Sequence, residues 1–567
     1  MTQPTRLHSR AMLKAIGCTA LGWSALLLGH PALAQNAALN NGIGAGTGIL
    51  PSTGFGGALP NLQDFIDTPL TKGGTQAFTF QPQIGVQAGY TDNVGGQGGS
   101  LGGGTAGQKA QGSFEGRLLP SIALVGGVRR VTVNLTYDPV LYYYPQVNSQ
   151  SRVDQNLNGD ALIELYDQTA FLDLKAFASQ TPVVNAYGSA TSSAISREAL
   201  ERLYNVSANP YLIHQFGDIG TGKLSYTIAD SVIQNSSQTG YGGVTSGGQN
   251  SRSLSQTEDA NFSTGDAFGR FNHTVDLSGQ QSSGSGALAS SYRYEATYAP
   301  TYAINRFIAI NAKIGYEDVH YSAVYTGGVE TSRAYNLNSP LGTLGFTLTP
   351  NDDSSLALSY GYVDGGTSVK LDATYKPTAR IALFATSSSG VTTNLQQLNS
   401  FAGTARTTLA GVTIDPRTGA PIQYSNGSNN NASAVYRLTQ SSLTGVLSLN
   451  RDTLTAGLSA DQRESPGGGS AGSASNPSTN GSDIIGNLGW QHQLSETFTS
   501  SLTGSYGITQ SKGQGTTPFV VANASLSKTF TEQLSGTVNY SLYKRSSSAA
   551  NPGVTVNEIL LGLLQKF

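Results

Sequence analysis

Thiols, charge and long apolar runs are what this chain has least of. Its 567 residues include 1 Cys and 2 Met, and only 12% of them are charged. The single Cys18 lies near the N-terminus, inside a leader-like segment. Past that segment, neither disulfides nor thiolate metal sites can hold the chain together. No later stretch offers the ~18 consecutive apolar residues of a membrane helix. If the chain crosses a bilayer, it therefore does so as strands. Charge at about half the usual share, with no block that reads as a separate helical domain, argues against a string of soluble domains. A net charge of −2 gives no basic footprint for a nucleic-acid partner.

What is abundant is Gly (70), Tyr (27) and small polar residues, laid over a recurring apolar alternation. Disordered chains of similar polarity lack that alternation. It is clearest in the last stretch, 554–567, which reads VTVNEILLGLLQKF. Ile559, Leu561, Leu563 and the terminal Phe567 share one face of an extended strand, because side chains alternate with period two. Gln565 is the polar member of that row. The ending is similar to the terminal assembly signal of bacterial outer-membrane barrels, with Gln565 in place of the usual apolar residue.

At the other end, Met1 to Lys14 is basic, Ala15 to Gly29 is apolar, and Ala32-Leu33-Ala34 is a small-x-small site before Gln35. This predicts a signal peptide over 1–34, cleaved between Ala34 and Gln35, and a mature protein outside the cytoplasm. Residues 35–75 are rich in Gly, Asn, Ala and Pro and read as a flexible periplasmic segment. Its alternate glycines (Gly42, Gly44, Gly46, Gly48) have no strand before them or helix after them, so they read as linker rather than phosphate loop.

From residue 76 onward, strands of roughly 10 to 13 residues alternate with connectors that are in turn short and long. Short ones fall near Gly126-Gly127, Asp167-Gln168, Asn305-Arg306 and Thr531-Glu532, and long ones near 92–111, 182–202, 235–252, 388–432 and 464–482. The expected fold is all-β: a transmembrane antiparallel up-and-down barrel of about 22 strands, with both ends in the periplasm. A β-helix or propeller would show a fixed repeat, and none is present. Within the long connector at 388–432, residues 392–403 could form a short helix.

The face expected to point inward carries Arg130, Asp160, Glu164, Asp173, Lys175, Lys223, Asp276, Arg293, Glu295, Lys313, Lys370 and Asp372. Mixed signs suit a hydrated wall, or a conduit for uncharged or weakly charged hydrophilic solutes, rather than an ion filter. Tyr142, Tyr143 and Tyr144 are expected in an interface girdle. His214, His273, His320 and His492 sit on separate strands without metal-ligand spacing, and no Ser/His/carboxylate motif is present. No catalytic, cofactor or metal site is expected. The 35–75 segment is too short for a folded plug domain, so either the lumen is open or that segment or the 388–432 loop blocks it.

The opening row Gly89-Tyr90-Thr91-Asp92-Asn93-Val94 resembles the aromatic-x-Asp-Asn-aliphatic start of the β-barrel porin type 2 family. A second likeness runs through Ala434-Val435-Tyr436-Arg437 to Arg463, after a long loop containing Asp415-Pro416-Arg417-Thr418-Gly419. The resemblance implies an outer-membrane barrel tied to polysaccharide production or export. The expected partners are outer-membrane lipid, the barrel-assembly machinery and polysaccharide or its export components. The expected function is a porin-like channel for exopolysaccharide or other hydrophilic solutes. The alternative is a non-conducting structural or surface-binding barrel whose outer loops contact polysaccharide or partners.

Overall fold

A computed structural model describes residues 78–96, 110–182, 192–197, 200–235, 238–239, 245–246, 250–326, 329–351, 353–404, 406–407, 413–414, 434–466, 481–511, 515–547 and 553–567. The leader with its Ala34–Gln35 junction, the 35–75 segment and most of 405–433 lie outside the described residues.

The alternating sequence forms one closed antiparallel barrel of 22 strands. Its sheet has 24 segments, because Val131–Tyr137 and Val140–Tyr143 are two pieces of the third strand, and Arg152–Asp154 and Leu157–Tyr166 two pieces of the fourth. Each strand pairs with its chain neighbour, and closure is made by the first strand, Thr79–Thr91, against the last, Val554–Lys566. The register runs from Gln83 opposite Lys566 to Thr91 opposite Glu558. Closure leaves no free edge, the condition for backbone polar groups to sit in hydrocarbon.

Period-two alternation separates the two faces of the wall. Ile559, Leu561, Leu563 and Phe567 are all exposed, as are Val538, Ile310 and Ile314 on other strands, and together they form the apolar exterior. Exposed aromatics form two bands on that exterior. One follows the rim of short turns, with Phe80, Tyr166, Phe216, Phe271, Phe530 and Phe567. The other lies toward the rim of long connectors, with Tyr90, Phe114, Tyr143, Tyr360, Tyr506 and Tyr540. Two aromatic girdles around an apolar belt are the pattern of an outer-membrane barrel, and they define an inner rim (short turns) and an outer rim (long connectors).

Two expectations need correction. The strand Ser113–Val128 runs through Gly126 and Gly127, and the turn falls instead at Arg129-Arg130. Gly126 and Gly127 stay in register opposite Val133 and Thr132, and the two arginines sit exposed at the inner rim. Arg130 is therefore a turn residue rather than part of the lumen wall. The three consecutive tyrosines are likewise split by the alternation. Tyr143 faces out at 60% exposure, whereas Tyr144 is fully buried on the inside with its hydroxyl on Glu115.

Candidate functional site: a helix strung across the lumen

The long connector after the fifteenth strand, Ile381–Thr392, turns back into the barrel as the helix Asn394–Thr404, close to where the sequence placed it. Thr393 starts it. Its Oγ1 accepts the Gln396 backbone N–H at 3.2 Å, and its carbonyl accepts that of Gln397 at 2.9 Å. With Gln at the third helical position, this is a capping-box sequence.

The helix is buried on more than one side. Leu395, Leu398, Phe401 and Ala402 are buried, and Asn394, Gln396 and Gln397 are buried with them. A helix that buries polar and apolar faces alike lies inside a structure rather than on it. Its apolar side joins Leu203, Ile233, Leu288, Val319 and Val391 in one cluster, and Phe401 meets Phe177 edge-on with ring centroids 5.5 Å apart. Each such buried side chain contributes about 1.5–3 kcal/mol.

Its polar side chains are tied to three separate parts of the wall. Asn205, on the sixth strand Leu200–Gln215, donates to Asn399 at 3.2 Å. Tyr321, on the eleventh strand Ile308–Tyr321, donates to Gln396 at 3.0 Å. Tyr436, on the sixteenth strand Tyr436–Ser448, donates to Gln397 at 2.9 Å and also to Asn394. Strands so far apart around a ring of 22 can be reached together only from within the lumen.

A second connector folds inward beside it. Ala194 and Ile195, between the fifth and sixth strands, pack on Ile485, Phe519, Val521, Tyr543, Val554 and Val556. Arg197 donates its N–H to Gln150 at 2.7 Å, and the Gly95-Gly96 turn at the top of the first strand approaches Ser196 and Ala194. Among the described residues, two packed clusters thus fill parts of the outer half of the lumen.

The pivot of this packing is Asp364, in the tightest outer connector. Asp364 and Gly365 both take positive φ (55 and 71), as a two-residue hairpin turn requires of its central pair. The turn is covered, and Asp364 is 2% exposed. Its carboxylate accepts Arg293 and the Val391 N–H at 3.0 Å, just before the helix begins. Its N–H donates to Glu317 at 2.8 Å, and its carbonyl accepts Tyr335 at 2.9 Å and Arg437. Arg293 also donates to the Val391 carbonyl at 3.1 Å.

Lys175 pairs with Asp173 at 3.6 Å, and Lys313 with Glu295 at 2.5 Å. Lys370 and Asp372 alternate with the exposed Val369 and lie opposite Ser359 and Ala357. Glu164 accepts the Gln168 N–H at the inner rim. Asp160 is buried opposite Lys175, Lys223 lies 4.6 Å over Tyr211, and Asp276 accepts Asn261 at 3.0 Å. Arg293 belongs instead to the outer packing around Asp364. The four histidines remain apart, His273 on Tyr298 and His492 on Asp452.

Three groupings escaped sequence reasoning. The first is Asp364 itself. The second is Arg117, buried between Glu115 and Glu558 across the closing strands. The third is a clasp over the seam. Asn557 donates its backbone N–H and its side-chain amide to Asp92 at 2.8 and 2.7 Å, and Asn93 donates to the Thr555 carbonyl at 3.2 Å. The Tyr-Thr-Asp-Asn-Val row was the available signal, but its partner lies at the far end of the chain.

The architecture defines an outer-membrane β-barrel. No protein-family model and no curated protein matches the chain. Among solved structures it is similar to the FrpB iron transporter from Neisseria meningitidis, at 9% identity and TM-score 0.49 over 86% of this chain and 81% of that one. It is also similar to the siderophore receptor PirA from Acinetobacter baumannii, at 10% identity and TM-score 0.46 over 86% and 80%. The copper transporter OprC gives 9% identity and TM-score 0.44 over 87% and 81%. At these identities and scores, what those proteins carry has no bearing on this chain's solute.

Proposed function

We propose that the chain is a gated outer-membrane channel for hydrophilic solutes, exopolysaccharide among them, held shut at rest by the Asn394–Thr404 helix. The observation that carries the reading is the helix tied at once to Asn205, Tyr321 and Tyr436 across the lumen. A structural barrel would need no element there, whereas a channel needs one that can move. The polar inward face supports passage of hydrophilic solutes, and the resemblance to porin type 2 barrels supports polysaccharide as one of them. The protein acts as a conduit and not as an enzyme. Its partners are the surrounding lipid, the barrel-assembly machinery reading the 559–567 row, and polysaccharide-export components.

The test is swelling of liposomes loaded with the purified barrel, intact and with 393–404 replaced by a Gly/Ser linker. Slow sugar entry in the intact protein and fast entry in the replaced one is the expected result. The packing of the two outer clusters also favours a second reading, a non-conducting barrel that presents its loops. Equal impermeability of both folded proteins would establish it.

A further inference from the structure

The lumen wall is chemically lopsided. Along the strands that carry Asp173, Asp259, Asp276 and Glu295, inward carboxylates outnumber inward cations. Across the seam, below the level of Arg117 and Glu558, the inward residues of the first strand and of strands seventeen to twenty-one carry no charge, only Ser, Thr, Asn, Gln and Gly, and the last strand between them adds Leu560, Gly562 and Leu564. The register sets these groups in rows. Gln87 lies opposite Gly562, which lies opposite Thr537 and then Ser527, and a row two inward steps further out runs from Thr455 through Gly489, Thr503, Asn523 and Ser541 to Glu558.

Several of these groups are buried without a protein partner. Gln87 is 4% exposed with neither amide atom bonded, and Thr455 (2%) and Thr537 (6%) have unbonded hydroxyls. The side-chain carbonyls of Asn523 and Asn539 are in the same state. A buried polar group left unmatched is costly, so a wall of them calls for something that matches them. Amides and hydroxyls both donate and accept, as sugar hydroxyls do, and carry no charge to select an ion. The excess of carboxylates on the facing wall disfavours a polyanion.

We propose that this uncharged wall is a binding path for a neutral, hydroxyl-rich chain, a neutral oligosaccharide rather than an acidic one. The proposal rests on the conduit reading above but is tested without conduction. Binding of neutral malto-oligosaccharides and of oligogalacturonates of equal length is measured by titration calorimetry. Each is titrated into the full chain and into an Asp364→Ala variant, which loosens the outer packing. The neutral series should bind about tenfold or more tightly than the acidic one. The double variant Gln87→Leu/Thr537→Val should weaken the neutral series by a similar factor while the barrel still melts normally. Acidic chains binding as well as neutral ones would overturn the proposal. So would indifference to the double variant, or no neutral binding by either protein. A barrel that binds neutral chains but never admits solute would keep this wall and sink the conduit; one that admits solute but binds none would do the reverse.

Discussion

Asp364 is the residue whose loss the closed barrel should feel most. Removing its carboxylate in Asp364→Ala strands the Arg293 guanidinium, whose side chain is 9% exposed, and frees the Val391 N–H that leads into the helix. Breaking one half of a buried ion pair costs about 3–5 kcal/mol. If Arg293 gains water when the helix leaves, that cost falls on the closed state alone, and the open-to-closed ratio should rise by roughly two to three and a half decades. Glu317 is the nearest group that could take over, since it already accepts the Asp364 N–H. Asp364→Ala/Glu317→Gln should therefore open the channel further than Asp364→Ala alone. Replacing the pair by apolar residues, Arg293→Met/Asp364→Leu, should return the barrel close to its original closure, because well-packed apolar groups substitute for a buried pair at little cost. The assay is open probability in planar bilayers, with thermal melting as the control for folding. An Asp364→Ala protein that opens as rarely as the original and melts at the same temperature would refute the reasoning.

Other expectations follow from the seam and the wall. Asp92→Ala removes both bonds from Asn557 and should cost about 1.5–3 kcal/mol, read as a lower urea midpoint at unchanged slope. Gly89→Val should prevent closure, since a Cβ there would sit 1.9 Å from the Ile559 carbonyl oxygen, and the heat-modifiable folded band on gels should be lost. Arg117→Met leaves Glu115 and Glu558 buried together without their cation. It should destabilise by about 3–5 kcal/mol, with partial rescue by adding Glu115→Gln. Leu561→Arg puts a charge on the lipid-facing row and should cost about 2–4 kcal/mol if it sits at midplane depth, whereas a Ser525→Thr change inside should be near neutral.

The wall was legible because a half-lipid, half-water strand must alternate, and Leu534 to Leu542 or Ile308 to Tyr316 state that alternation residue by residue. Turn positions were less so. Glycine permits a bend without requiring one, and the strand through Gly126-Gly127 simply continued to the arginines. The helix at 394–404 could be anticipated from its own residues, but its place in the lumen depends on Asn205, Tyr321 and Tyr436, which nothing local connects to it. Asp364 was hidden for the opposite reason. An Asp-Gly turn is expected at a surface, and only the neighbouring connectors make it a buried centre.

The central claim is that the Asn394–Thr404 helix occupies the lumen and closes it. Phe401 on the helix touches Phe177 on the wall, and the only native cysteine is Cys18, so Phe177→Cys/Phe401→Cys can be joined by a short thiol cross-linker. Conductance of the joined and unjoined proteins is the direct measurement. The account predicts efficient cross-linking in the folded barrel, silence in the joined form and openings once the link is cleaved. A joined protein that conducts like the unjoined one, or a pair that never cross-links in the folded barrel, would contradict it.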